Sequence, residues 1–157
     1  MTAPVKLNLG AGDDHREGFV SIDLRPEADV TADIRDLSAY PDGSVDELLA
    51  LDILEHFWRD DVPAVLTEWR RVLRPGGRLT LRIPNMHALA RQIVRGTHVE
   101  ATIRNIYGGH RWGPDGSWDA HHWGWTPQTL APLLAEFGYR ILSNDGRTNM
   151  TVCCERL

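Results

Sequence analysis

Hydrophobic positions in this chain come in two spacings. Runs with apolar residues at every or every second position read as strands, and stretches with spacing three and four read as helices. Residues 5–9 form a first short strand that runs into Gly10-Ala11-Gly12. Residues 19–23 and 29–33 read as a second and third strand, each closed by an aspartate, Asp23 and Asp33. Pro41-Asp42-Gly43-Ser44 is a turn, and residues 45–52 are a fourth strand. Asp61-Val62-Pro63 opens a helix, with Val65, Leu66, Trp69 and Val72 on one face and Pro75-Gly76-Gly77 stopping it. A fifth strand over 79–83 ends at Pro84, and residues 86–95 and 98–107 read as helices. Residues 108–125 are irregular and hold Trp112, Trp118, Trp123 and Trp125. Thr126-Pro127-Gln128 caps a last helix carrying Leu130, Leu133, Leu134 and Phe137, which Gly138 ends. Residues 139–142 and 150–154 are two final strands joined through Asn144-Asp145-Gly146.

Strands alternating with helices predict an α/β fold: a Rossmann-like, doubly wound, mostly parallel sheet with helices on both faces. The last two strands lie too close together for a crossover helix, so that pair is antiparallel. At 157 residues the chain is expected to form one domain over 1–157. Its 42% hydrophobic and 25% charged residues exclude disordered and low-complexity classes. No apolar run approaches the ~20 residues of a membrane span, and no signal peptide opens the chain. Cys153 and Cys154 are neighbours and build no disulfide framework, so a cytoplasmic protein is expected.

Charge is unevenly placed. The net is −5, which argues against a general nucleic-acid binder. The acids concentrate in the first 60 residues. Within 82–111 the bases Arg82, Arg91, Arg95, Arg104 and Arg111 face only Glu100. That excess reads either as solvated helix faces or as a basic rim for an anionic substrate.

In such a sheet, ligands bind beyond the carboxyl ends of the strands, at the switch point. Gly10 and Gly12 stand there, where glycine lets the backbone turn sharply and approach a ligand. A dinucleotide fingerprint would need a third glycine at position 15, which is His15, so a nicotinamide cofactor is disfavoured. Asp23 stands where a carboxylate can accept both hydroxyls of a ribose. Asp33 followed by Ile34 suits an adenine, the acid accepting the exocyclic amine and the isoleucine covering the ring.

The set Leu7-Asn8-Leu9-Gly10-Ala11-Gly12, Asp23, Asp33-Ile34, Leu54-Glu55-His56 and Arg71-Val72-Leu73-Arg74-Pro75-Gly76-Gly77 resembles the class I S-adenosylmethionine-dependent methyltransferases, of the small type 11-like kind. The likeness runs through Trp125-Thr126-Pro127 to the last strand. It implies a seven-stranded sheet with an antiparallel last strand and S-adenosylmethionine as cofactor. Asn8, Gly10, Ala11 and Gly12 would hold its methionine part, Asp23 its ribose and Asp33-Ile34 its adenine, with the main chain at Leu51 beside the sulfonium. Three departures stand out. Asn8 replaces a common acid, Asp14 replaces a common glycine, and the usual N-terminal cover helix is lacking. The cofactor pocket is then open, or closed by residues 108–125 or by a second subunit in a homodimer.

Asp52, Glu55 and His56 follow the fourth strand, and His121 follows the tryptophan-rich segment. A histidine titrates near ~6.5 and suits a general base, so His56 and His121 are the candidate catalytic residues. The alternative is that Glu55 and His56 only cap and pack. Some family members, the small-RNA 2′-O-methyltransferases, use a similar carboxylate–histidine set to bind a divalent ion. That resemblance implies Asp52, Glu55, His56 and His121 as metal ligands if a metal is bound. The expected activity is methyl transfer to a small-molecule acceptor, at a hydroxyl of a sugar-like or anionic biosynthetic intermediate. N-methylation and a non-catalytic cofactor-binding scaffold are the alternatives; no membrane partner is expected.

Overall fold

The computed structural model describes residues 3–157, so Met1 and Thr2 of the expected 1–157 domain lie outside the described residues. Its strands are β1 (Lys6–Leu9), β2 (Val20–Asp23), β3 (Val30–Thr31), β4 (Val45–Leu51), β5 (Leu73–Pro84), β6 (Tyr139–Asn144) and β7 (Asn149–Arg156). Its helices are α1 (Val62–Val72), α2 (Met86–Arg95), α3 (Val99–Tyr107) and α4 (Pro127–Glu136), with a 3₁₀ turn over Leu54–His56. The strands form one sheet in the order β3-β2-β1-β4-β5-β7-β6. β3, β2, β1, β4 and β5 run parallel, and β7 is antiparallel to both β5 and β6. The chain winds outward from β1 in one direction and restarts at β4 in the other, which puts the switch point between those two strands.

One face of the central strands is wholly buried: Leu7 and Leu9 of β1, Leu48 and Ala50 of β4, and Leu79, Leu81 and Ile83 of β5. On the opposite face Asn8 and Leu49 are buried, whereas Thr80 and Arg82 of β5 are half-buried. α1 lays Val62, Val65, Leu66, Trp69 and Val72 into the core, the face its spacing predicts. Thr126 caps α4 through a capping box with Thr129, and Asn85 caps α2 by accepting the His87 N–H.

Three expectations are corrected. The third strand is only Val30–Thr31, because its flanking residues turn into loops. The fifth strand starts at Leu73, ahead of residue 79, since Leu73 pairs with Val45 before a register shift. The α-helices also begin only at Val62: among the described residues, the connections β1–β2, β2–β3 and β3–β4 are irregular. Residues 10–19 hold too few apolar positions for an amphipathic helix, Ala11 and Phe19 alone being large or buried enough to pack.

Side chains of α1 secure the last of these loops. Trp69 donates its Nε1–H to the Ile34 carbonyl at 2.9 Å, and Glu68 accepts the Leu37 N–H at 2.8 Å. Arg71 donates to the carbonyls of Leu37 and Tyr40 and to Asp42. Trp69→Phe keeps most of the buried ring and strands the Ile34 carbonyl. Loss of one buried hydrogen-bond donor costs about 1–3 kcal/mol, so the urea midpoint should fall by that amount divided by the m-value, with m unchanged.

Candidate active site

A cleft of about 500 Å³ opens at the carboxyl ends of the parallel strands. That volume lies within the ~300–1,000 Å³ typical of small-molecule sites. Gly10 and Gly12 form its floor, Asp23, Leu24, Ala32, Asp33 and Ile34 one wall, and Asp52, Ile53 and His56 another. Gly10 sits at φ +62°, and a side chain there would run into Ile53, so glycine is required both by conformation and by contact. Asp23 ties the loop to the sheet: its Oδ2 accepts the Gly12 N–H at 2.8 Å and its Oδ1 the Arg25 N–H at 3.0 Å. The Arg35 guanidinium beside Asp33 holds that carboxyl below the usual carboxylate range.

The expected cofactor set divides. Gly10, Gly12, Asp23, Asp33 and Ile34 line the cleft, whereas Asn8, Ala11 and Leu51 do not. Asn8 is buried and donates its side-chain N–H to the Asp14 carbonyl at 2.7 Å, bracing the loop from behind.

The expected tetrad divides as well. One ligand atom each from Glu55, His56 and His121 lie within 4.8 Å of one another. Asp52 stands apart from this group: it sits at φ +59°, and its Oδ2 accepts the Arg82 guanidinium. His56 donates Nδ1–H to the Ala120 carbonyl at 2.9 Å, which leaves its Nε2 lone pair free. Burial pushes the His56 pKa down and that of His121 down to about 4, so both rings are neutral at pH 7. Burial also raises Glu55 well above the usual carboxylate range, and neither of its oxygens has a hydrogen-bond partner among the described residues. The 4.0 Å approach of His121 Nε2 to Glu55 Oε1 is therefore a contact between groups driven toward neutrality.

His121 is not on the cleft wall, contrary to its expected catalytic place. Its N–H is held by the Tyr107 carbonyl at 3.0 Å, and its ring stands edge-on to His56 at 4.8 Å between centroids. His122 takes the wall position instead, stacked on Trp58 at 4.1 Å. Side chains alternate along extended backbone, so burying one of two adjacent histidines turns the other outward. That alternation was the available signal for His122; Phe57, Trp58 and Arg25, also on the wall, carried none.

Residues 108–119 fold over the cleft. Asp119 accepts the N–H groups of Arg111 and Trp112, and the Trp112 ring lies 5.2 Å from the Arg25 guanidinium. Trp112, Ser117, Trp118 and Asp119 thus line the cleft from the loop side. Arg82, Arg91, Arg95, Arg104 and Arg111 do not line it, so the basic rim expected for an anionic substrate is not at this site.

Residues 13–81 match the family model described as a methyltransferase domain. No curated protein matches the chain by sequence. The fold is similar to that of the Burkholderia thailandensis 1,6-didemethyltoxoflavin-N1-methyltransferase with bound 1,6-didemethyltoxoflavin and S-adenosylhomocysteine, at 16% identity and TM-score 0.68, covering 98% of this chain and 71% of that one. A SAM-dependent methyltransferase of Methanosarcina mazei matches at 16% identity and TM-score 0.67, over 100% and 94% of the two chains. A small RNA methyltransferase matches at 14% identity and TM-score 0.63, over 99% of this chain and 23% of that one. Residues 13–81 thus carry the sequence signature of a methyltransferase domain, and the whole chain has the fold of the S-adenosylmethionine-dependent methyltransferases it resembles. No described helix is long and apolar enough to cross a membrane.

Glu55 sets a pH dependence. Above pH ~4.5 the unfolded chain releases this proton while the native chain keeps it, so stability falls as pH rises, with a limiting slope of about 1.4 kcal/mol per pH unit. His121 acts oppositely: its lowered pKa of about 4 makes stability fall as pH drops from 6.5 toward 4. Urea unfolding at pH 5–8 in chelator should show Glu55→Gln losing the downward slope with rising pH. A pH-independent gap between the two proteins would contradict the buried, protonated carboxyl.

Proposed function

We propose that this chain transfers the methyl group of S-adenosylmethionine to a hydroxyl of a small molecule bound in the cleft. The observation that carries the reading is His56: a neutral, cleft-facing imidazole at the switch point, fixed by Ala120 in the tautomer that leaves Nε2 free. Gly10 and Gly12 hold the methionine part of the cofactor, Asp23 its ribose, and Asp33 with Ile34 its adenine. The methyl then lies toward Asp52, Ile53 and His56.

Transfer is an in-line displacement. The acceptor oxygen forms the new bond to the methyl carbon as the carbon–sulfur bond breaks, and that electron pair stays on sulfur as the neutral thioether. His56 Nε2 takes the hydroxyl proton, and the Ala120 carbonyl stabilises the imidazolium that results. Holding oxygen and methyl ~3–3.5 Å apart supplies most of the acceleration, and a positioned base adds about 10²–10⁴-fold. His121 serves as a positioning residue behind His56.

The donors also suit a divalent cation. Glu55 offers two buried, unpartnered oxygens, His56 and His121 are neutral, and the three approach within 4.8 Å. Glu55, His56 and His121 would hold the ion, with Asp52 nearby. Bound there, it would lower the pKa of an acceptor hydroxyl.

Calorimetry should show S-adenosylhomocysteine binding, and Asp23→Ala should weaken it by about 10- to 100-fold through lost charged hydrogen bonds. With any confirmed acceptor, His56→Ala should lower kcat by at least 100-fold and leave S-adenosylhomocysteine affinity within about twofold. Full turnover in that variant would remove the base assignment. For the ion, zinc or manganese added to chelator-treated protein should raise Tm, and Glu55→Gln should abolish the rise.

A further inference from the structure

The residues assigned to the cofactor leave a distinct part of the cleft wall. From the turn after β4 come His56, Phe57 and Trp58, and from the loop side Trp118 and His122. Trp58 is 61% exposed and Trp118 43%, and Trp112 on the same rim is 47% exposed. Large aromatic side chains gathered around one opening form an apolar patch of the kind that marks a binding site. One face of the Trp58 ring is held by His122, stacked on it at 4.1 Å with 20° between the ring planes, and the ring is otherwise 61% exposed.

The charge on this wall is one-sided. Six carboxylates line the cleft, from Asp13, Asp23, Asp33, Asp52, Asp61 and Asp119, against the guanidiniums of Arg25 and Arg35 on the wall, Arg82 bonded to Asp52 and Arg111 3.6 Å from Asp119, which leaves two negative charges in excess. None of these guanidiniums is free. Arg25 pairs with Asp13 at 3.0 Å and Asp23 at 3.8 Å, and Arg35 pairs with Asp33 at 2.5 Å. S-adenosylmethionine carries one net positive charge, too little to reverse this balance. An anionic acceptor would enter a negative field and meet no unneutralised cation. A flat acceptor without negative charge would gain stacking on Trp58, and a cation would gain ring-face attraction as well.

We infer that the acceptor is a hydroxylated aromatic compound, uncharged or cationic, stacked on Trp58, and not an anionic sugar derivative. This rests on the methyl transfer proposed above and names the substrate class of that site. The ring lies on the indole with its hydroxyl turned toward His56, the last residue of the 3₁₀ turn and two positions before Trp58.

Two probes that differ in the charge of one side chain test it: tyramine, a cationic phenol, and 4-hydroxyphenylacetate, its anionic counterpart. Each is titrated calorimetrically into protein saturated with S-adenosylhomocysteine. Tyramine should bind at least about tenfold more tightly, with the gap narrowing at high salt. Trp58→Ala should weaken tyramine binding by about fivefold or more and leave S-adenosylhomocysteine affinity within twofold. Equal or tighter binding of 4-hydroxyphenylacetate, or binding of neither phenol, would overturn the inference. So would a Trp58→Ala loss of S-adenosylhomocysteine affinity, which would assign the stack to the cofactor's adenine. Failure of S-adenosylhomocysteine to bind the unaltered protein would instead defeat the methyltransferase reading itself.

Discussion

The geometry of the site depends on Glu55. Its main-chain carbonyl accepts the N–H groups of His122 at 2.8 Å and Trp123 at 3.2 Å. These two bonds pin the extended segment near residue 122 against the 3₁₀ turn that follows β4. His121 and His122 are thereby sent to opposite sides, one to the buried cluster and one to the cleft. The carboxylate of the same residue is buried and unpartnered. A buried ionisable group without a partner is costly, and such groups concentrate at functional sites. Here the backbone of Glu55 joins two segments, and its side chain makes no hydrogen bond among the described residues.

Around that pivot the two halves of the molecule divide the work. The first 60 residues carry most of the acids and cross between β1, β2, β3 and β4 without α-helices. Their loops are held by polar contacts from α1, chiefly Trp69, Glu68 and Arg71. Such crossovers place glycine backbone and carboxylates directly at the strand ends, where a cofactor can reach them. The second half contributes α2, α3 and the 108–119 loop, which closes on itself through Asp119 and reaches Arg25 through Trp112. The cleft is thus walled by residues from both ends of the one chain.

Neutrality is a second common thread. Burial moves both ring pKa values of the histidine pair down and the glutamate up, so all three are pushed toward their uncharged forms. Uncharged imidazoles are proton acceptors and metal ligands; the same residues exposed to water would titrate near pH ~6.5 and lose that role in weak acid. The dry surroundings that push Glu55 up are the ones that keep His56 neutral, and they make it a weaker base than a free imidazole.

The sequence by itself determined the order and type of nearly every element, because period-2 and period-3.6 patterns survive without knowledge of neighbours. It also located the strand ends carrying Gly10, Gly12, Asp23 and Asp33, since in a parallel sheet those ends must share one edge. Only the tertiary structure decided what depends on direction rather than position. The arginines of 82–111 do not line the cleft, Arg82 and Arg111 being turned onto the lining carboxylates of Asp52 and Asp119, Asn8 turns inward to Asp14, and His122, not His121, reaches the cleft wall. It also separated Asp52 from Glu55, His56 and His121 by pairing it with Arg82 across the β4–β5 ladder. Each of these outcomes rests on a contact between residues distant in the chain, and linear spacing carries no record of where such a partner stands.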